Sequence, residues 1–250
     1  MSQNSCSYNS PHDMMVSTAG IVMHGTKYSD TSLIVKIFTK ERGMQSFIVK
    51  GASNKKSRFK AALFSPMALV HITYDDHHSD RLMYLRDIQR QPNATERLYD
   101  PGRSSVLLFY NELLYKILAD SGPDNVLFDF LEEEIHRIQE PDIVLADQPL
   151  RFMLRLCIVL GFFPENNFSD TDRYFSLTEC RFQSFFVDEN SEIPFEESQY
   201  LSRLLRFDGQ ITVTRNIRNS LLHYLIKYYM IHNEQVRNIE SAEILSSVLH

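Results

Sequence analysis

Eight lysines and arginines fall within a 25-residue stretch of this 250-residue chain: Lys36, Lys40, Arg42, Lys50, Lys55, Lys56, Arg58 and Lys60. One acid, Glu41, interrupts them, so the stretch carries +7 in a chain whose formal net charge is −6. The chemistry open to such a cluster is the neutralisation of an anion, and nucleic acid is the commonest anion of matching extent. Binding that ignores base sequence also uses aromatic rings on which bases stack. Phe59, flanked by Arg58 and Lys60, is the first candidate. Phe38 and Tyr28 are further ones, each of which a hydrophobic core would equally claim. Lys27, Arg81, Arg86 and Arg90 either extend the basic surface or simply stand exposed. The plainer alternative for the whole set is a solvated hairpin with incidental charge.

Other residue types offer less. Asp75-Asp76-His77-His78 suggests metal ligands for a hydrolase acting on nucleic acid. Neighbours on a strand point apart, however, and no second Asp/His cluster stands at a useful spacing, so a surface turn is the simpler expectation. His71, a lone histidine on a strand, is most simply structural. Nothing matches a phosphate-binding GxxxxGK[ST] loop, and no Ser or Cys sits in a nucleophile-elbow context. The expectation is a protein without catalytic residues, metal or cofactor. In the rear half, Arg151 and Arg155 stand at i, i+4, and Arg215 and Arg218 open another helix. Cations beside an apolar groove suit an acidic peptide with an apolar end. Pairing with Asp147 or with Glu132, Glu133 and Glu134 is the competing use.

The elements that must position these residues follow from periodicity. Apolar and β-branched runs predict strands at about 15–24, 31–39, 44–51, 68–74 and 81–88, with a hairpin turn at Lys40-Glu41-Arg42-Gly43. In the third strand Phe47 and Val49 point one way, Ile48 and Lys50 the other. Five strands with a long break, 51–66, between the third and fourth suit a five-stranded OB-type barrel, an SH3-like barrel being the rival. From about residue 102 the period becomes helical. One stripe holds Val106, Tyr110, Leu113, Leu114, Ile117 and Leu118. The second runs from Leu127 to Ile138, with Pro123 expected near its first position. The third runs from Leu150 to Ile158 and stops at Gly161. Residues 165–190 read as irregular, with a short strand at 181–187, and helices follow at about 195–207, 216–232 and 242–249.

The fold expected is α+β: an N-terminal OB-type barrel at 14–91 and an all-helical domain at 92–250, after a disordered tail at 1–13. Charge divides the same way, +5 over residues 1–91 and −11 over 92–250. Three widely spaced cysteines, Cys6, Cys157 and Cys180, fit a reducing cytosol rather than a disulfide framework. No signal peptide is expected, and the apolar runs fall short of the roughly 20 residues a membrane helix needs.

Taken in order, these segments resemble the RecO family of bacterial recombination mediators. The likeness is carried by TAGIVMHGTKYSDTSLIVKIFTKERG (18–43), VKGASNKKS (49–57) and Leu82 to Arg86. FYNELL (109–114), LRFMLRLCIVLGFFP (150–164), RNSLLHYLIKYYMIHN (218–233) and ESAEILSSVL (240–249) continue it. The resemblance implies an OB-fold followed by a helical domain. It also implies binding of single- and double-stranded DNA and annealing of complementary strands. The implied partners are RecR and the acidic C-terminal tail of single-stranded-DNA-binding protein, acting together to load RecA at gaps. On this view Lys36, Lys40, Arg42, Lys50, Lys55, Lys56, Arg58, Lys60 and Phe59 meet DNA, and Arg151, Arg155 and Arg218 meet the tail. The expectation is a cytoplasmic, nucleoid-associated monomer. Many members of that family carry a four-cysteine zinc site after the third helix. Residues 166–187 here hold only Cys180, so no structural zinc is expected. The rival function is a protein-interaction scaffold whose acidic helical domain does the work.

Overall fold

Alternating apolar residues build five strands in the front unit: β1 (Met14–Lys27), β2 (Leu33–Thr39), β3 (Gly43–Val49), β4 (Leu69–Asp76) and β5 (Met83–Arg90). The structure is a computed structural model that describes residues 14–52, 61–76, 82–91, 100–119, 121–207 and 214–249. It divides into two compact units between Gln91 and Pro92. The tail at 1–13, the basic segment 53–60 and the linker residues 92–99 lie outside the described residues.

The five strands close in the order β1-β2-β3-β5-β4, with β3 and β5 parallel and the other neighbours antiparallel. This is the strand order of an OB-fold barrel. β1 serves both β2 and β4, and its register shifts between Val22 and His24, a bulge that lets one long strand bend around the barrel. Gly20 permits the closure: a Cβ there would lie 2.5 Å from the Ile37 side chain. Gly43 takes a positive φ of 67° in the β2–β3 turn, and the Thr39 hydroxyl donates to its carbonyl at 2.9 Å. Inside, Val35, Ile37, Phe47, Val49, Val70, Ile72 and Tyr74 are fully buried, and Phe47 meets Tyr74 edge-on at 5.0 Å. β4 reaches Asp76, so Asp75 and Asp76 belong to a strand rather than to the expected turn.

The described residues of the rear unit form six α-helices: α1 (Pro101–Ile117), α2 (Asn125–Gln139), α3 (Gln148–Leu160), α4 (Phe195–Leu204), α5 (Arg215–His232) and α6 (Ser241–Val248). Asp100 and Asp124 cap α1 and α2 by accepting from the Arg103 and Leu127 N–H groups. Pro123 therefore precedes the cap of α2 instead of sitting inside its first turn. Gly161 ends α3 in the left-handed region, φ 82°. Tyr110 stacks on Phe152 with ring centroids 3.7 Å apart, tying α1 to α3. Tyr229 of α5 donates to the Met153 carbonyl of α3 at 2.7 Å. The strand expected at 181–187 is present as β7 (Arg181–Gln183), and the segment around it, expected to be irregular, adds β6 (Tyr174–Ser176) and β8 (Glu192–Ile193) in an antiparallel sheet of order β7-β6-β8. The rear unit is thus helical with a three-stranded inset.

Candidate nucleic-acid interface

The outward positions of β2, β3 and β5 come together by register. Ile34 pairs with Ile48 across β2 and β3, and Ile48 pairs with Tyr84 across β3 and β5. The two isoleucines are half-buried, and Tyr84 is 37% exposed. This apolar and aromatic row has cations on both sides. Lys36, paired with Ser46, lies on one side. Lys50, two residues beyond Ile48, and Arg86, two beyond Tyr84, lie on the other because β3 and β5 run parallel. Lys50 is exposed, with its Nζ 4.3 Å from the centroid of the Tyr84 ring. Such a face can track a phosphate backbone with ammonium groups while an aromatic ring takes a base.

Not every predicted cation is available in the same way. Arg42, in the β2–β3 turn, is ion-paired with the buried Asp76 and keeps 36% of its side-chain exposure. Arg86 pairs with Asp75 at 2.5 Å while staying 61% exposed. The two acids considered as metal ligands therefore serve as counterions for barrel arginines. Lys40 is half-buried in the same turn as Arg42, and its N–H donates to the Ala19 carbonyl. Lys55, Lys56, Arg58, Phe59 and Lys60 lie outside the described residues, as do Arg81, His77 and His78. Phe38 is fully buried and so is core, whereas Tyr28 is 62% exposed. Tyr84 was missing from the sequence-based candidates. The alternation in MYLRDIQR carries the signal, since Met83 and Leu85 are buried and Tyr84 and Arg86 are exposed.

The rear-unit arginines divide. Arg155 forms a two-point ion pair with Glu134, at 2.8 and 2.6 Å, and Glu134 is buried. Its guanidinium already has a counterion. Arg218 is buried, donates to the Leu249 carbonyl at 3.2 Å, and lines a shallow cleft open to solvent. Pro149, Leu150, Leu222, Leu245 and Leu249 supply its apolar wall. Burial raises the Asp147 carboxyl above its ordinary range, against the opposing influence of nearby Arg151 and Arg218.

Comparison with known proteins bears on both units. Residues 14–90 match the family model "Recombination protein O N terminal", and residues 98–238 match "Recombination protein O C terminal". The chain belongs to the RecO family. Its relatives named "DNA repair protein RecO" include those of Flavobacterium psychrophilum, 30% identical over 241 residues, Bacteroides fragilis, 29% over 240, and Phocaeicola vulgatus, 28% over 239. Each alignment covers 94% of this chain and 99% of the relative. The barrel is accordingly the OB-fold of a RecO-family DNA repair protein, and binding of DNA fits the family.

The zinc site found in many RecO proteins does not fit the residues present. Among the described residues no three His, Cys, Asp or Glu side chains gather as a metal would require. Cys157 is buried on α3, and burial pushes its thiol up to about 12. Cys180 lies 3.4 Å from the His232 ring instead. Aromatic rings fill the neighbourhood: Phe182 packs edge-on against both Phe168 and Phe175, and Phe175 against Tyr228. No described helix is long and apolar enough to cross a membrane.

Proposed function

We propose that this RecO-family chain binds single- and double-stranded DNA on the outer face of β2, β3 and β5, without reading base sequence. Lys36, Lys40 and Lys50 meet phosphates, Arg42 contributes from the edge of its ion pair, and Tyr84 offers a ring for stacking. Lys55, Lys56, Arg58, Phe59 and Lys60 are further DNA contacts on this reading. Two strands held on one cationic face lose their mutual repulsion, so complementary strands anneal there. With RecR, the chain then helps load RecA onto gaps coated by single-stranded-DNA-binding protein. The observation that carries this reading is the Ile34–Ile48–Tyr84 row with Lys36 on one side and Lys50 and Arg86 on the other.

On the same reading the acidic tail of single-stranded-DNA-binding protein enters the Arg218 cleft, where apolar walls suit its hydrophobic end and Arg218 suits its carboxylates, with Arg151, which like Arg218 acts on Asp147, adding positive charge nearby. Arg155 supports that region from within its pair with Glu134. The chain acts as a cytoplasmic monomer at the nucleoid, and chemistry on the DNA is no part of its task. A salt titration of binding to a single-stranded oligonucleotide tests the proposal. Each phosphate neutralised adds about −0.7 to the log–log slope on single strands. A scaffold that works only through its helical unit would retain no oligonucleotide even at low salt.

A further inference from the structure

The loop between β7 and β8 presents three consecutive large apolar side chains to solvent: Phe185 is 57% exposed, Phe186 40% and Val187 67%. Isolated exposed apolar residues need no explanation, but a run of three at one tip does. The tip is also held in place. The buried Glu192 carboxylate accepts the Val187 and Asp188 N–H groups at 3.0 and 3.1 Å, and its other oxygen accepts from Gln183 at 3.1 Å. Asp188 accepts the N–H groups of Asn190 and Ser191. Lys227 of α5 ties down the Glu189 carbonyl and the Asn190 side chain. Phe186 rests against Tyr174 of β6 at 5.4 Å. A buried carboxylate is thus committed to fixing backbone whose side chains then face water, which lowers the ordering cost of any contact they make.

Charge selects the kind of partner. From Glu165 to Glu197 the chain holds nine acids and two arginines, Arg173 and Arg181, a local net charge of −7. Asp188 and Glu189 adjoin the apolar tip directly and are exposed. Phosphates of DNA and anionic lipid headgroups are repelled by such surroundings, while a cationic protein surface is attracted. We propose that the Phe185–Phe186–Val187 tip is a docking element for a protein partner that offers an apolar pocket rimmed by lysines and arginines. Aromatic anchors in a pocket with a complementary charged rim are the usual energetic centre of such contacts. The tip shares no residue with the barrel face.

Photo-cross-linking in cells, in the full-length chain, tests this. Phe185→p-benzoylphenylalanine places the probe on the tip, and Val126→p-benzoylphenylalanine places a control on a still more exposed position of α2. The expected result is a discrete adduct from position 185 whose cross-linked partner segment is apolar and net basic, with none from position 126. Adding Glu189→Lys should lower its yield roughly fivefold or more, and so should raising salt after lysis and before irradiation. Phe186→Ser, made on the exposed side of the loop, should also reduce the yield while oligonucleotide affinity stays at the parental value. The proposal is overturned by no adduct at 185, by equal adducts at 126, by adducts to DNA, lipid or a second copy of this chain, or by a partner segment that is acidic. An adduct indifferent to both Glu189→Lys and Phe186→Ser overturns it as well.

Discussion

Lys50 holds its ammonium 4.3 Å from the centre of the Tyr84 ring, across the parallel seam where β3 meets β5. The cation lies against one face of the ring. A stacked base is worth about 1–3 kcal/mol by alanine substitution. Tyr84→Ala should therefore weaken single-stranded oligonucleotide binding by about tenfold in fluorescence anisotropy. Tyr84→Phe should retain most of the affinity, because the face of the ring and not the hydroxyl makes the contact. Equal weakening in both variants would mean that the hydroxyl or the backbone matters instead.

Charge on the segment after Gly51 should behave differently from the ring. Reversing Lys55, Lys56 and Arg58 to Glu together should cut DNA affinity more than tenfold. It should also flatten the log–log salt slope by about 2, because each phosphate no longer neutralised takes away roughly 0.7. The melting temperature should hardly move. A triple variant that binds with the parental slope would remove this segment from the interface.

The barrel was legible because strands of seven or more residues repeat an alternation long enough to read, and Gly43 and Gly161 mark a turn and a helix end by chemistry alone. Arg42 with Asp76 was not legible, since the partners lie 34 residues apart and nothing local couples them. Pairing of the rear arginines with Glu132, Glu133 or Glu134 was the competing use read from the sequence, and Arg155 takes it with Glu134. Of the small sheet only the strand at 181–187 was read, and β7 takes its first three residues; β6 and β8 escaped because strands of two or three residues show no period. Tyr84 was legible in principle, since its outward position follows from its neighbours, but it stands apart in sequence from the lysine-dense stretch that holds Phe59. Pro123 misled because Asp124, a better cap, follows it directly.

Glu112 of α1 anchors α6. Its carboxylate accepts the Ser241 hydroxyl and N–H and the Glu240 N–H, and Lys116 stands 3.7 Å away. Burial pushes its pKa up, but these hydrogen bonds and Lys116 outweigh that and hold it below the ordinary carboxylate range. A depressed folded-state pKa means stabilisation that is fully present above the unfolded value, about 4.3. It is lost as pH falls through the folded value. Glu112→Gln should therefore speed hydrogen exchange of α6 amides at neutral pH, and the gap from the parent should close below about pH 4. A gap that persists in acid would show that the charge is not what holds the helix.

Two arginines that the sequence placed together, Arg155 and Arg218, should separate under mutation. Arg155→Ala leaves the buried Glu134 with Arg137, at 3.2 Å, as its remaining ion-pair partner among the described residues. Removing one partner of a buried pair commonly costs about 3–5 kcal/mol, and the remaining ion pair places this case near 3. Thermal and urea unfolding followed by circular dichroism should show that destabilisation. A peptide with the acidic, hydrophobic-ended sequence of the tail of single-stranded-DNA-binding protein should still bind the folded fraction. Arg218→Ala should do the reverse in binding and weaken the peptide by about tenfold, since charge-assisted hydrogen bonds contribute about 1.5–3 kcal/mol. The effect should be specific to the peptide, with oligonucleotide affinity unchanged, because Arg218 is on α5 of the rear unit and the proposed DNA face is on β2, β3 and β5 of the barrel. If Arg155→Ala abolished peptide binding while the fold stayed intact, the guanidinium held by Glu134 would itself be what the tail meets, and the cleft at Arg218 would lose its role.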